Sequence, residues 1–467
     1  MNFINENEVV TEFNELNISD KNPNSSKINH ENCDDPNDEK FWCKECVPRC
    51  IIEGWTSGND DIDNLIKDTI YDAREKYIGN DEFGPSFLEW VPFDRFEDMK
   101  QIGEGGFAKV YSATWIDGDA KYIKQDDGNW IKEEPESMKV ALKRLNGSQN
   151  MSADYLNELK THWKLNCLQD DSLKFYGISK DPETEEIIMI MQYADGGNLR
   201  NILSSNFKKT LWNGKIRYLS DSAFDLKNLH ELGYFHKDFH SGNILSIGVN
   251  SYISDFGLSR PSNEQKSSDS NKIVGVLPYI APEVLNGEPY TLSSDIYSFG
   301  VVMAELSSGK PPFYKRKHDG GLALEICNGL RPEFGKGTPE IYKKLAHRCM
   351  NANPNQRPTA NELHEILICW NNYSDNEKYG YKGEVVKAVF EEADKEIPNI
   401  STSNEKKPDA IYTSRAFTFS NLSKPINSSF IATTYLNEED NEGCQDSQLI
   451  NLEVPSTSRL EDGDSIN

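Results

Sequence analysis

No run of 18 apolar residues occurs in the 467 residues, so no stretch is long and apolar enough to cross a bilayer as a helix. The N-terminus also lacks the basic and hydrophobic segments of a secretory signal, and the expectation is an intracellular, cytoplasmic protein without membrane insertion. Basic residues are scarce: 50 Lys and Arg stand against 76 Asp and Glu, a net charge of −26. Residues 1–40 contribute −7 and residues 371–467 contribute −9, which leaves a moderately acidic middle. Phosphate backbones reward clustered Lys and Arg, so nucleic acid is excluded as the expected partner. Cysteine is sparse too, nine residues in all, an odd count, and five of them (Cys167, Cys327, Cys349, Cys369 and Cys444) are scattered singly. That pattern favours reduced thiols over a disulfide framework.

What the chain has is length enough for a two-part core with tails. Residues 1–40 are rich in Asn, Asp, Glu and Ser and poor in large apolar groups, so disorder is expected there. A cysteine-containing, partly helical segment follows over 41–95. It holds Cys43, Cys46 and Cys50 close together, with Cys33 ten residues before Cys43. Thiolates at such spacing can reach one tetrahedral zinc, which makes Cys33, Cys43, Cys46 and Cys50 a candidate four-sulfur site. The competing reading is a set of unrelated thiols.

From residue 96 the pattern tightens. "FEDMKQIGEGGFAKVYSATW" reads as strand, glycine turn and strand, "SMKVALKRL" as a further strand, and the polar 117–137 between them as a long hairpin loop. "ADYLNELKTHWKLN" places Tyr155, Leu156, Leu159, Trp163 and Leu165 near helical spacing, with Glu158 beside that stripe. "EEIIMIMQYA" is an apolar strand, and a helix begins in "GGNLRNIL". A long helical pattern covers 211–232, and further helices are expected near 291–308, 320–328, 339–350 and 359–370. Strands first and helices later imply an α+β chain, with a small sheet joined to a larger helical part. Residues 381–394 have a helical pattern, whereas 396–467 reads as tail.

Three stretches carry chemistry. In "GEGGFAKV" the glycines Gly103 and Gly105 lie between strands, where backbone N–H groups can approach an anion with no Cβ in the way. A dinucleotide fingerprint would need a helix next, and a Walker loop would need Gly-Lys-Ser/Thr. Lys143 in "VALK" stands on a strand fifteen residues before Glu158, a natural partner to orient the ammonium toward phosphates. In "HKDFHSGN" (236–243), Asp238 and Asn243 lie five apart in a segment too polar for a core, and Asp255 follows in "SDFG". One carboxylate to accept a hydroxyl proton, with a carboxamide and a second carboxylate for magnesium, is the division of labour that phosphoryl transfer needs. A metal site on His236 and His240 lacks a third ligand at matching spacing.

Together these motifs, with "APE" at 281–283, Asp295 in "SSDIYSFG" and Arg357 in "NQRP", make residues 96–370 resemble the eukaryotic protein kinase family. Within it the chain is most similar to the tyrosine-kinase-like group, and more narrowly to the expanded kinase set of mycorrhizal (Rhizophagus-type) fungi. The stretches "WTSGN" (55–59), "GVLPYIAPE", "AIYTSR" (410–415) and "KPINSS" (424–429) carry that likeness.

The resemblance implies a bilobal fold, flanked by the acidic segment 1–40 and a mostly disordered tail over 371–467. It implies ATP and Mg2+ as cofactors, with Asp238 as base, Lys143, paired with Glu158, holding the nonreacting phosphates, and Asn243 and Asp255 holding magnesium. The nucleotide would be bordered by Ile102, Gly103, Glu104, Gly105, Gly106, Phe107, Ala108, Lys109 and Val110, with Ala141, Lys143, Met191, Gln192 and Ala194. Arg357 would be the buried partner of Glu283.

The expected activity is transfer of the γ-phosphoryl group of ATP to a protein serine or threonine in intracellular signalling. Protein substrates and an upstream kinase are the expected partners; the alternatives are a tyrosine or dual-specificity kinase and a silent scaffold. Three departures from the family pattern bear on this. Lys237 replaces the usual arginine before the base, which weakens the expectation of control through the activation segment. His240 stands where serine/threonine kinases commonly have lysine, and Val276 where a threonine is common. The activation segment offers Ser259, Ser262, Ser267, Ser268 and Ser270 as candidate regulatory sites.

Overall fold

The structure, a computed structural model, describes residues 55–76, 87–119, 122–124, 130–132, 136–168, 172–262, 273–402, 408–419 and 422–428. The chain divides into two compact units, Met1–Asp195 with Asp255–Ser259, and Gly196–Ser254 with Arg260–Asn467. Cys33, Cys43, Cys46 and Cys50 lie outside the described residues, as do Ser267, Ser268 and Ser270.

In the first unit, helix α1 (Asp60–Lys76) buries Ile62, Leu65, Ile66 and Ile70, the spacing of a single helical face. Its start is fixed by "WTSGN": Asp63 accepts hydrogen bonds from the Ser57 backbone N–H (2.8 Å) and from the Thr56 and Ser57 hydroxyls. Burial alone would raise the Asp63 pKa, but these donors outweigh it and hold the carboxyl below its usual value.

Strand β1 (Glu89–Trp90) then runs parallel to β7 (Phe175–Lys180) at one edge of a six-stranded sheet. The other members, β2 (Phe96–Glu104), β3 (Ala108–Trp115), β6 (Met138–Leu145) and β8 (Ile187–Gln192), pair antiparallel in the order β1-β7-β8-β6-β3-β2. Val91, Phe96, Ala113, Trp115, Val140, Leu142, Ile188 and Ile190 form a core cluster on this sheet. The loop expected over 117–137 contains a small antiparallel hairpin of β4 (Tyr122–Lys124) and β5 (Trp130–Lys132). Three residues per strand are too few to show an alternating pattern in the sequence.

Helix α2 (Ala153–Leu168) turns a different face inward from the apolar stripe of its sequence. Leu159 and Trp163 are buried, but Leu156 and Leu165 are only half-buried, and Glu158, His162 and Asn166 are buried at successive four-residue steps. Each of these polar groups is engaged. His162 packs edge-on against Phe175 and Phe256, the Asn166 side chain accepts the Phe175 N–H at 3.2 Å, and Glu158 belongs to the site described below.

The second unit is mostly helical. After β9 (Gly197–Asn198) comes α3 (Leu199–Asn206), capped by the Asn198 side chain. Helix α4 (Trp212–Glu231) buries Ile216, Leu219, Ala223, Leu226 and Leu229. The chain continues through β10 (Tyr234–Phe235), β11 (Ile244–Ile247), β12 (Asn250–Ile253), β13 (Arg260–Pro261) and β14 (Ile273–Gly275). Then follow α5 (Pro282–Leu285) and α6 (Leu292–Ser308), which opens on a Thr291/Ser294 capping box and ends at left-handed Gly309. Helices α7 (Gly320–Cys327), α8 (Glu340–Cys349) and α9 (Ala360–Asn372) complete the bundle.

Helix α10 (Gly383–Asp394) packs Phe390 against Trp212 and Trp370, with ring centroids 5.6 Å apart in each pair. Residues 408–419 and 422–428 depart from the expectation of a disordered tail. They include β15 (Arg415–Phe417), which pairs antiparallel with β14. Their anchors are polar contacts from distant elements, which a composition argument about apolar burial does not register. Among the described residues no helix is long and apolar enough to cross a membrane.

Candidate active site

On the sheet of the first unit, Lys143 pairs across β6 with Val110 on β3 and Met189 on β8. Its ammonium donates to Glu158 at 2.5 Å and to Asp255 at 2.9 Å. Burial works to lower the Lys143 pKa, but the adjacent Asp255 and Glu158 carboxylates prevail and raise it, so the group is a permanent cation. Asp255 holds a left-handed backbone conformation at φ 66°, uncommon for a residue with a Cβ, and its neighbour Phe256 is buried against His162 at 4.5 Å. At Gly257 a Cβ would lie 3.0 Å from Glu158 Oε2, so glycine there lets the segment close on the ion cluster.

The glycine hairpin closes through Gly105 N–H to Ala108 O at 2.8 Å. Cβ atoms at Gly103 and Gly105 would meet only ordinary contacts, at 3.7 and 3.8 Å, and neither backbone has positive φ. Nothing among the described residues therefore requires glycine at these positions. Ile102 and Phe107 are exposed on this hairpin at 49% and 48%, while Ala108 is buried in the β3–β6 pairing. Glu104 and Gly106 are exposed, and Lys109 and Val110 half-buried. At the other end of the sheet Ala141 pairs with Met191, which is buried, and half-buried Gln192 and Ala194 follow.

In the second unit the loop 236–243 is held from several sides. The two Asp295 oxygens accept the backbone N–H groups of His236 (2.8 Å) and Lys237 (3.0 Å), the latter residue being left-handed at φ 68°. His236 accepts the Asp238 N–H on Nδ1 and donates from Nε2 to Ser254 O, which fixes its tautomer. Asn243 donates through Nδ2 to the Asp238 carbonyl at 3.0 Å. His240 accepts the Gly242 N–H on Nδ1, which leaves its proton on Nε2, 3.6 Å from Asp238 Oδ2. A Cβ on Gly242 would fall 2.8 Å from the His240 ring, so only glycine permits this turn. Beneath the loop Arg200 donates to Ser241 and Tyr279, and the buried Tyr279 hydroxyl donates to Glu305 at 2.6 Å.

The side chain of Lys237 lies over the Tyr290 ring, 4.9 Å from its centroid. Ser259, one of the candidate regulatory serines, is fully buried and its carbonyl accepts from Asn157, so it is not presented to a modifying enzyme in this structure. The buried pair expected between Glu283 and Arg357 is present.

One contributor went unread in the sequence. Ser414, in "AIYTSR", donates its hydroxyl to Asp238 Oδ2. It lies 176 residues from Asp238, and no local spacing could have signalled the contact. Among the described residues no group of three or more His, Cys, Asp or Glu is arranged to hold a metal.

A lysine clamped by carboxylates on an antiparallel sheet, with an aspartate receiving a hydroxyl on a helical unit, marks a protein kinase domain. Residues 96–367 match the family described as protein tyrosine and serine/threonine kinase, and the chain belongs to that family. It is similar to a probable serine/threonine-protein kinase of Dictyostelium discoideum, 27% identical over 62% of this chain and 16% of that protein. A probable LRR receptor-like serine/threonine-protein kinase of Arabidopsis thaliana is 27% identical over 70% of this chain and 30% of its own length. A putative serine/threonine-protein kinase/receptor of Acanthamoeba polyphaga mimivirus is 29% identical over 66% of this chain and 18% of its own. The chain thus spans less than a third of each of these relatives.

Proposed function

We propose that the protein transfers the γ-phosphoryl group of ATP to serine or threonine hydroxyls of other proteins. The observation that carries this reading is the Lys143 ammonium held between Glu158 and Asp255, a fixed cation of the kind that orients nucleotide phosphates. Gly103 and Gly105, with no steric demand from the described residues, suit close approach of a polyanion, and exposed Ile102 and Phe107 offer apolar cover for a base. Met191, Gln192 and Ala194 with Ala141 would complete the nucleotide's surroundings. Asp255 and Asn243 have the oxygen chemistry for Mg2+, which when bound neutralises phosphate charge. Asp238 would accept the acceptor hydroxyl's hydrogen bond and orient it.

The same motifs support placement in the tyrosine-kinase-like group, near the expanded fungal set. Cys327, Cys349 and Cys369, none of them in a disulfide, suit a reducing, cytoplasmic setting. An upstream kinase is a further proposed partner. Purified protein with magnesium and labelled ATP, beside Asp238→Asn, tests the proposal by mapping of labelled residues. Label on serine or threonine in the native protein alone supports it. Label confined to tyrosine moves the acceptor class, and absence of both label and ATP binding overturns the enzyme reading in favour of a scaffold.

A further inference from the structure

Residues 408–419 of the second unit lay a strand along β14 and bring a hydroxyl to Asp238. β15 adds to β14 in antiparallel register, Gly275 opposite Arg415, Val274 opposite Ala416 and Ile273 opposite Phe417. Strand addition to an exposed edge is a general mode of peptide recognition, with the backbone supplying affinity and pockets the side-chain choice. β14 lies between the "DFG" and "APE" stretches, so the added strand runs beside the activation segment. The residue just before β15 is Ser414, and its hydroxyl is on Asp238 Oδ2.

The contacts on either side select that hydroxyl. The Tyr412 carbonyl accepts from Arg200 Nη1 at 3.0 Å, the Ile411 carbonyl meets His318 Nδ1 at 2.8 Å, and Arg415 Nη2 donates to His318 O at 2.6 Å. The Tyr412 hydroxyl donates to Pro312 O at 2.9 Å, and Thr413 is exposed. Of three consecutive hydroxyl residues, only Ser414 has its hydroxyl on Asp238. Further along, Ile426 N–H donates to Cys327 O (2.9 Å) and Asn427 accepts the Ala352 N–H (2.7 Å).

We propose that Ser414 is a phosphorylation site that the protein modifies in cis, with residues 408–419 filling the acceptor groove until it does so. The inference rests on the kinase reading above. In the step, Ser414 Oγ bonds the terminal phosphorus of ATP, the bond from that phosphorus to its bridging oxygen breaks, and ADP leaves with the electron pair. The hydroxyl proton passes to Asp238 and on to solvent. The product places a phosphate of about −1.5 to −2 charge beside the Asp238 carboxylate, and that repulsion expels the segment and opens the groove to protein substrates.

The test uses the full chain with magnesium and ATP, site-resolved mass spectrometry, and a serine/threonine peptide library as external acceptor. The expected result is phosphate on Ser414 at a rate per molecule that is unchanged over a tenfold range of protein concentration, retained in Thr413→Ala. Library phosphorylation should show a lag that prior incubation with magnesium and ATP removes. Arg415→Ala, which loses the His318 contact, should slow Ser414 labelling at least tenfold while the library is still phosphorylated. Library phosphorylation with Ser414 unmodified overturns the inference and leaves the kinase reading standing. A Ser414 rate that scales with protein concentration means transfer between molecules and also overturns it. If neither library nor Ser414 is labelled, the kinase reading and this inference fall together.

Discussion

Arg357 and Glu283 form a two-pronged ion pair, with Nη1 to Oε1 and Nη2 to Oε2 each at 2.7 Å and the arginine side chain wholly buried. Arg357 also donates to the carbonyls of Ser293 and Asn351, both at 2.8 Å, so one guanidinium ties α5, the start of α6 and the turn before α9. Removing one partner strands a buried charge, which typically costs about 3–5 kcal/mol. Arg357→Ala is expected to lower the unfolding free energy by that amount, seen as a lower denaturant midpoint with an unchanged slope. Arg357→Lys should recover only part, because lysine has no planar fork. A midpoint within error of the native protein in Arg357→Ala would show the pair to be structurally idle.

Much of this architecture was legible in the sequence because it is periodic or locally spaced. The α4 stripe from Ile216 to Leu229 is a 3.6-residue repeat, and Lys143, Asp238, Asn243 and Asp255 stand in motifs only a few residues long. The inward face of α2 was not legible, because Glu158, His162 and Asn166 are polar residues buried by their partners and not by hydropathy. Nor was the β14–β15 pairing, since three-residue strands far apart in the chain leave no local signal. The "AIYTSR" stretch stood out only through resemblance; its contact with Asp238 is a product of the tertiary fold.

Lys143→Met should reduce kcat/KM for ATP by at least about a hundredfold, as loss of a preorganised charge contact does. Steady-state kinetics with varied ATP check this, and a kcat/KM within about tenfold of the native value would contradict it.

Gly300, in the middle of α6, has no room for a methyl group. A Cβ would lie 2.7 Å from Met350 Cγ, 2.8 Å from Cys349 Cβ and 2.9 Å from the Ala346 carbonyl oxygen. Alanine would gain about 1 kcal/mol in helix propensity, but forcing atoms into a packed crossing costs about 1–3 kcal/mol. Two of the three neighbours are a backbone oxygen and a Cβ, which cannot swing aside, so the steric cost should win. Gly300→Ala is expected to melt several degrees lower than the native protein; a higher melting temperature would mean that α6 and α8 can separate at little cost.

Lys215 on α4 is fully buried, and its ammonium lies 4.1 Å from the Phe207 ring centroid and 4.7 Å from that of Trp212. It has no hydrogen-bond partner among the described residues. Burial lowers its pKa to about 7, against a smaller opposing pull from Asp394. Between about pH 7 and its unfolded value near 10.5 the unfolded chain binds more protons at this site, so the site's penalty on folding relaxes as pH rises. Lys215→Met keeps the volume and removes the charge, and it should raise the melting temperature at pH 7 by a few degrees. That advantage should shrink steadily toward pH 10, where the native lysine has already given up its proton in the folded state. If the methionine variant were instead less stable at pH 7, the aromatic faces of Phe207 and Trp212 would be repaying the desolvation of the ammonium in full.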